Sequence, residues 1–260
     1  MALIPSLGTA ISGMKAAQGQ LDIISRNVAN VDTEGYTRKI AQQSNVVMAG
    51  YNHGVKLNTT TRLVNEGLLK SFLASNSLTG SLSAQSEFLG KTEILLGTPQ
   101  GNNSVAANVA DLQTAFNTFA SDVTSSSGRY NLLSQATTMT SRLNSISQEI
   151  QKLRGDADMQ IAEDVTTVNS LLDELHRLND EIVKYTVLGY DSVVDLEDQR
   201  DQALRQLSEK LDLSYFKREN GEMIIQTTDG IMLLDNEPHK LSHTSLTQTS
   251  PSATYAGGNI

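Results

Sequence analysis

The sequence predicts a mainly α protein. Its expected architecture is a long antiparallel helical bundle with an N-terminal axial helix, an extended arm and a small β region near the C-terminal end. Three observations predict this class. Apolar residues recur at alternating steps of four and three along much of 63–96 and 105–187. Only 38% of residues are hydrophobic and 5% aromatic, with no tryptophan, which suits thin helix seams better than a thick globular core. The period falls to two only after residue 212, where "LSYFKRENGEMIIQT" carries the hairpin-forming pair Asn220-Gly221.

Residues 6–29 read as the first helix. Leu7, Ile11, Met14, Leu21 and Val28 share one 4-3 seam, with Gln18 and Ser25 filling its gaps. Gly8, Gly13 and Gly19 weaken it, since each interior glycine costs about 1 kcal/mol relative to alanine. The segment is therefore expected to fray when alone and to order against a partner.

The stretch "SRNVANVDTEGYTR", residues 25–38, then breaks the helical pattern. Its residues suit a bend better than a reactive site. Val28 closes the seam, while Asn30, Asp32 and Thr33 can bond nearby backbone in turns. Gly35 permits a positive φ, and Tyr36 can lay its ring against the helix end with its hydroxyl free to bond. Residues 36–62, rich in Asn, Gln, Thr and Gly, read as an extended arm with weak strand character.

The helical period returns at 63–96, with Leu68, Phe72, Leu82, Leu89 and Leu96 on one register. "GTPQGNNS" at 97–104 reads as a loop. A shorter helix at about 105–123 carries Val109, Leu112, Phe116 and Phe119. The cleanest stripe runs from Leu132 through Ile146 to Leu153 and resumes after Gly155 from Ile161 to Ile182. A register shift near Ala157 has the form of a stutter. A continuous helix over 130–187 would extend about 87 Å at 1.5 Å per residue.

Residues 195–210 form a further helix with Leu196, Ala203, Leu207 and Leu211 inward. Asp195, Asp198 and Asp201 repeat every three residues there. They are expected on a solvated face, with Asp195 favoured by the helix N-terminus and Asp201 paired to Arg205. This reading is preferred to a functional carboxylate cluster because exposed pairs of this kind are common. After the hairpin and a second turn at 228–230, the chain ends in low-complexity sequence from about Gln248.

Composition excludes several function classes. A net charge of -9 argues against nucleic acid, which demands clustered Lys and Arg. The chain has no cysteine, hence no disulfide, thiolate metal site or cysteine nucleophile. No apolar run is long enough to span a bilayer. The start "MALIPSLGTAISGMK" lacks the basic first region of a secretory signal. His239 and His243 are four apart but follow Pro238 in a polar loop, so a metal pair is not expected. "DADMQIAED" lacks the glycine and the closing carboxylate of a calcium loop. No phosphate-binding loop, nucleophile elbow or dinucleotide fingerprint is present. No catalytic, cofactor-binding or metal-binding residue is assigned, and the chain is not expected to be an enzyme.

The pattern Asn27-x-Ala29-Asn30-x-x-Thr33-x-Gly35-Tyr36, following an amphipathic helix, resembles the signature of the flagellar axial proteins. The long helices distinguish among them, as does "DLEDQRDQALRQLSEKL" with Asp198, Gln199, Arg200 and Asp201. Together with "SSSGRYNLLSQA" at 125–136, they resemble the hook-associated protein 1 family. The resemblance covers most of residues 1–235. It implies four parts: an axial helix and motif at 1–35, an arm at 36–62, a long-helix rod domain at 63–211 and a β-hairpin region at 212–260. The last part is read as truncated, because the family's C-terminal helix has no counterpart here.

The implied role is structural. The family polymerises at the distal end of the hook and joins hook to filament outside the cell, after export without a cleaved signal peptide. The implied partners are further copies of the chain, the hook protein, the second junction protein (hook-associated protein 3) and the export apparatus. Chaperone binding is not expected, since the family's chaperone guards the C-terminal helix. The implied assembly residues are Leu7, Ile11, Met14, Leu21 and Val28 on the seam, with Asn27, Ala29, Asn30, Thr33, Gly35 and Tyr36 at the bend. The alternatives are another axial subunit, such as a hook or distal-rod component, and, from other classes, a secreted hydrolase or a cytoplasmic coiled-coil signalling module.

Overall fold

The computed structural model describes residues 3–48, 51–98, 101 and 104–245. The low-complexity end and the centre of the 97–104 loop lie outside these residues. The described chain has five helices and seven short strands. In order they are α1 Leu3–Ala29, β1 Lys39–Ile40, β2 Gln43–Met48, β3 Tyr51–Leu57, β4 Thr61–Arg62, α2 Glu66–Leu96, α3 Val105–Ser121, α4 Ser126–Leu188, α5 Val193–Ser208, β5 Leu213–Lys217, β6 Met223–Thr227 and β7 Met232–Leu234. The fold is mainly α, as its seams predict. No described helix is long and apolar enough to cross a membrane.

The chain divides into two compact units. The first comprises residues 1–79 and 167–240, the second 80–166 and 241–260. In the first unit the expected arm is a long hairpin. β2 pairs antiparallel with β3, and β1 with β4. The backbone bonds Asn58 N to Gln42 O and Leu63 N to Arg38 O continue the pairing between and beyond them.

One face of α1 lies on this hairpin. Ala16 and Ile23 are buried there, Ser12 Oγ accepts the Val55 N–H, and a Cβ at Gly19 would come within 2.9 Å of Leu57 Cδ2. Gly19 thus serves close approach as well as weakening the helix. α1 is helical over 27 residues with this face covered by the hairpin.

The core of the first unit lies between the C-terminal part of α4, α5 and the three-stranded sheet β5-β6-β7. Leu172, Leu175, Leu178, Leu204, Leu207, Met223, Ile225 and Leu234 are all essentially inaccessible. The predicted hairpin is present, with Gly221 at φ 88° in its turn, and Gly230 at φ 88° leads into β7.

On two helices the apolar row read from the sequence is not the buried one. On α2, Leu69 and Leu73 are buried, while the predicted register of Leu68, Phe72, Leu82, Leu89 and Leu96 is exposed. On α3, Val109 and Phe116 are exposed and Ala115 is buried. Each helix carries more than one apolar row, and the row that meets a neighbour is not the one with the longest repeat. α4, by contrast, is one unbroken helix of 63 residues that runs through Gly155.

Candidate functional site

The helix ends at the bend by a chain of local bonds. Asn30 Nδ2 donates to Arg26 O at 2.9 Å, Thr33 N to Asn30 O at 3.0 Å, and Thr33 Oγ1 to Asn30 Oδ1 at 3.2 Å. Gly35 takes φ 82°, the left-handed conformation anticipated for it, and sits against the Gln202 side chain of α5.

Asn27 then ties the helix end to the arm in the manner of a strand. Its Nδ2 donates to Lys39 O and its Oδ1 accepts the Lys39 N–H, both at 2.9 Å. The same oxygen accepts the Tyr36 hydroxyl at 2.9 Å. The Lys39 ammonium stands 4.1 Å from the centre of the Tyr36 ring, where a cation is attracted to the π face.

The arm is held in turn by α5, and here the expectation of a solvated acidic face is overturned. Asp198 and Asp201 are 8% and 2% exposed. Asp198 accepts bonds from Thr37 N and Thr37 Oγ1, and pairs with Lys39 at 3.0 Å. Lys39 also pairs with Asp195. Arg62, opposite Lys39 at the base of the hairpin, reaches Glu197 at 2.8 Å, Asp198 at 2.9 Å and Asp201 at 2.8 Å. Asp201 therefore pairs with Arg62 and not, as predicted, with Arg205. Burial pushes the Lys39 ammonium down, but the bonds from Asp195 and Asp198 outweigh it and hold the group above the usual lysine value. Arg62 is likewise held above its ordinary range, with Asp201 and Glu197 overcoming its desolvation.

The second half of the same motif faces the other way. Arg200 is fully buried, and its Nη1 donates to Asn179 Oδ1 at 3.0 Å and to the Gly221 carbonyl at 2.7 Å. Burial lowers its pKa. Asn179 repeats the device seen at Asn27: Nδ2 donates to Met223 O at 2.7 Å and Oδ1 accepts Met223 N–H at 3.1 Å. α5 is thus a polar hub. Its acids hold the arm, its arginine holds the β5–β6 turn and α4, and Gln199 points outward.

The structure thereby brings Asn27, Tyr36, Asp198 and Asp201 into one network, 161 residues apart in sequence at Thr37–Asp198. The seam residues Leu7, Ile11, Met14, Leu21 and Val28 are not in it. They are 62, 44, 71, 64 and 67% exposed on the face of α1 away from the hairpin. Sequence reasoning missed Thr37, Lys39, Arg62 and Asn179, and read Asp195 as part of a solvated face. One signal was available: residues 36–62 hold four Lys or Arg and no carboxylate, whereas 193–201 hold four carboxylates and one arginine. The two histidines considered as a metal pair have separate partners, His239 on Asp235 and His243 on Asp158.

The arrangement offers mechanical linkage. The family model described as the flagellar hook-associated protein FlgK helical domain matches residues 89–259, and that of the flagella basal body rod protein matches residues 7–37. The chain is 24% identical over 234 residues to flagellar hook-associated protein 1 of Escherichia coli (strain K12), covering 88% of this chain and 42% of that protein. It is 23% identical over 252 residues to flagellar hook-associated protein 1 of Bacillus subtilis (strain 168), covering 90% and 49%. The flagellar hook junction protein FlgK from Burkholderia pseudomallei shares the fold with a TM-score of 0.59 at 24% identity, over 66% of this chain and 30% of that one. The chain spans less than half the length of the curated relatives it matches. With more than half of its residues inside the helical-domain match, the chain belongs to the FlgK family of flagellar hook-associated proteins.

Proposed function

We propose that this chain is the N-terminal portion of a structural subunit that polymerises at the distal end of the hook and joins hook to filament. Its partners in this reading are further copies of itself, the hook protein, the second junction protein and the export apparatus, and its place is the extracellular flagellum. Residues 1–35 serve as the assembly segment, 36–62 as the arm that aims it, 63–211 as the rod and 212–260 as the β region. The reading requires no catalysis and no cofactor.

The observation that carries it is the division of labour on α1. One face is fastened to the hairpin, while the 4-3 row of Leu7, Ile11, Met14, Leu21 and Val28 stays uncovered. An exposed apolar row on a helix whose direction is fixed fits contact with neighbouring subunits. Repeated head-to-tail contacts whose rotation does not close build helical tubes. The matched relatives bear the name flagellar hook-associated protein 1, and the rod-protein match falls on this helix and bend. These observations favour a junction subunit over another axial component, since the helical-domain match covers α3, α4 and α5.

The test is incorporation. Met14→Asp combined with Leu21→Asp is expected to leave the circular dichroism of the chain unchanged and to abolish its recovery in purified hook–filament junctions. Deletion of residues 1–35 is expected to do the same. Normal incorporation of either variant would refute the role given to this face.

A further inference from the structure

We infer that α1 and the arm form one rigid lever, and that the acidic face of α5 is the clasp that sets its direction. Three features lead there.

First, the lever is internally built of close packing. Ala16 and Ile23 are buried, Leu57 abuts Gly19, and Ser12 lies against the hairpin. Gly54 at φ 130° leaves no room for a Cβ, which would fall 2.2 Å from Ser12 Oγ. Asn27 adds its two bonds to the Lys39 backbone. The helix and hairpin therefore have to move together.

Second, the body below the lever has its own apolar core in α4, α5 and the sheet, around Leu175, Leu204 and Leu207. What is buried at the junction between lever and body is mainly polar: Lys39, Thr60, Asp198 and Asp201, with Arg62 closing the set and Val194 of α5 as the apolar residue beside Thr60 and Arg62. Thr60 N donates to Asp191 Oδ1 at 3.2 Å, and the remaining ties end on Asp195, Glu197, Asp198 or Asp201.

Third, the ties converge. Asp198 alone receives Thr37, Lys39 and Arg62, one from each strand of the hairpin base and one from the bend.

An apolar seam resists opening in proportion to the area it exposes. A junction of ion pairs exchanges its partners for water, and the desolvation recovered on opening offsets much of the attraction lost. Such a clasp holds a definite angle through geometry, not through a large net energy. The lever can be re-aimed without uncovering the core of either side. The inference rests on this geometry alone and stands apart from the assembly reading.

The chain has no cysteine, so introduced pairs report distances cleanly. In the full chain, Ser25→Cys with Gln206→Cys spans lever and body, and Ser25→Cys with Lys56→Cys lies within the lever; all three positions are exposed. Pulsed electron-spin resonance of nitroxide labels reads both. With the native clasp both distributions are expected to be narrow. Asp198→Asn is expected to broaden the lever–body distribution at least about twofold, because the single bound state gives way to several. The within-lever distribution should stay unchanged. Lys39→Met, which leaves α5 intact, should act in the same direction should Asp198→Asn reduce the helix content. A lever–body distribution that stays narrow with Lys39→Met and with folded Asp198→Asn would overturn the clasp. Broadening within the lever would overturn its rigidity.

Discussion

Single side chains in this fold act as pieces of backbone. Asn27 and Asn179 each present a donor and an acceptor to one residue of a strand, which a side-chain amide does as a peptide group would. Replacing Asn27 by Ala leaves the Lys39 N–H and carbonyl at a partly buried helix end, and frees the Tyr36 hydroxyl. Each unsatisfied buried group costs about 1–3 kcal/mol, so Asn27→Ala is expected to destabilise the chain by roughly 2–4 kcal/mol. Urea unfolding checks the size, and amide exchange at Lys39 checks the place. A loss under about 0.5 kcal/mol, the range of ordinary surface changes, would show that the two bonds are not holding the bend. The motif's glycine and asparagines were readable because a left-handed turn and side-chain caps have local residue requirements. Asn27 as a strand mimic was not readable, since its partner is fixed only once the hairpin folds back.

Whole elements show the same split between local and distant information. The β5–β6 hairpin, the unbroken α4 and the stop at Ala29 follow from period and turn chemistry within a dozen residues. The burial of α5 on its acidic side does not. Asp195, Asp198 and Asp201 at three-residue spacing are what a solvated helix face would show, and their partners Lys39 and Arg62 stand 136 to 159 positions away. Only the charge contrast between arm and helix hinted at the pairing. On α2 the longest repeat misled, because the helix has two rows and its short row meets the core. Leu73 is 2% exposed and Leu82 is 54% exposed. Leu73→Ala is accordingly expected to cost about 2–5 kcal/mol, as for other buried leucines. Leu82→Ala should change stability by no more than about 0.5 kcal/mol in the isolated chain. Equal losses for the two, measured by denaturant melts, would restore the register read from the sequence.

At the scale of the molecule, the two units are built to different depths. The first buries Leu171, Leu172, Leu175, Leu178 and Ile182 of α4, whereas in the second Leu143, Ile150 and Ile161 of the same helix are 49, 38 and 43% exposed, and Ile146 is the buried apolar residue of α4 there among those described. A low hydrophobic fraction foretold thin seams, but not that the thinness would be confined to one unit. Because α4 is a single helix in both, it allows a direct comparison of two stretches that differ in tertiary cover. Local opening follows that cover. Full burial of one leucine contributes about 1.5–3 kcal/mol, so the stretch with several should be protected from amide exchange roughly a hundredfold more than the stretch with few. Hydrogen exchange on the isolated chain is expected to show a step in protection near residue 167, with 168–182 slow and 131–161 fast. Uniform protection from 131 to 182 would mean that α4 opens as one cooperative rod and that the second unit draws its stability from the first. If the chain assembles as proposed, a step that vanishes in the assembled state would locate further cover for the exposed rows of α2, α3 and α4 in neighbouring subunits.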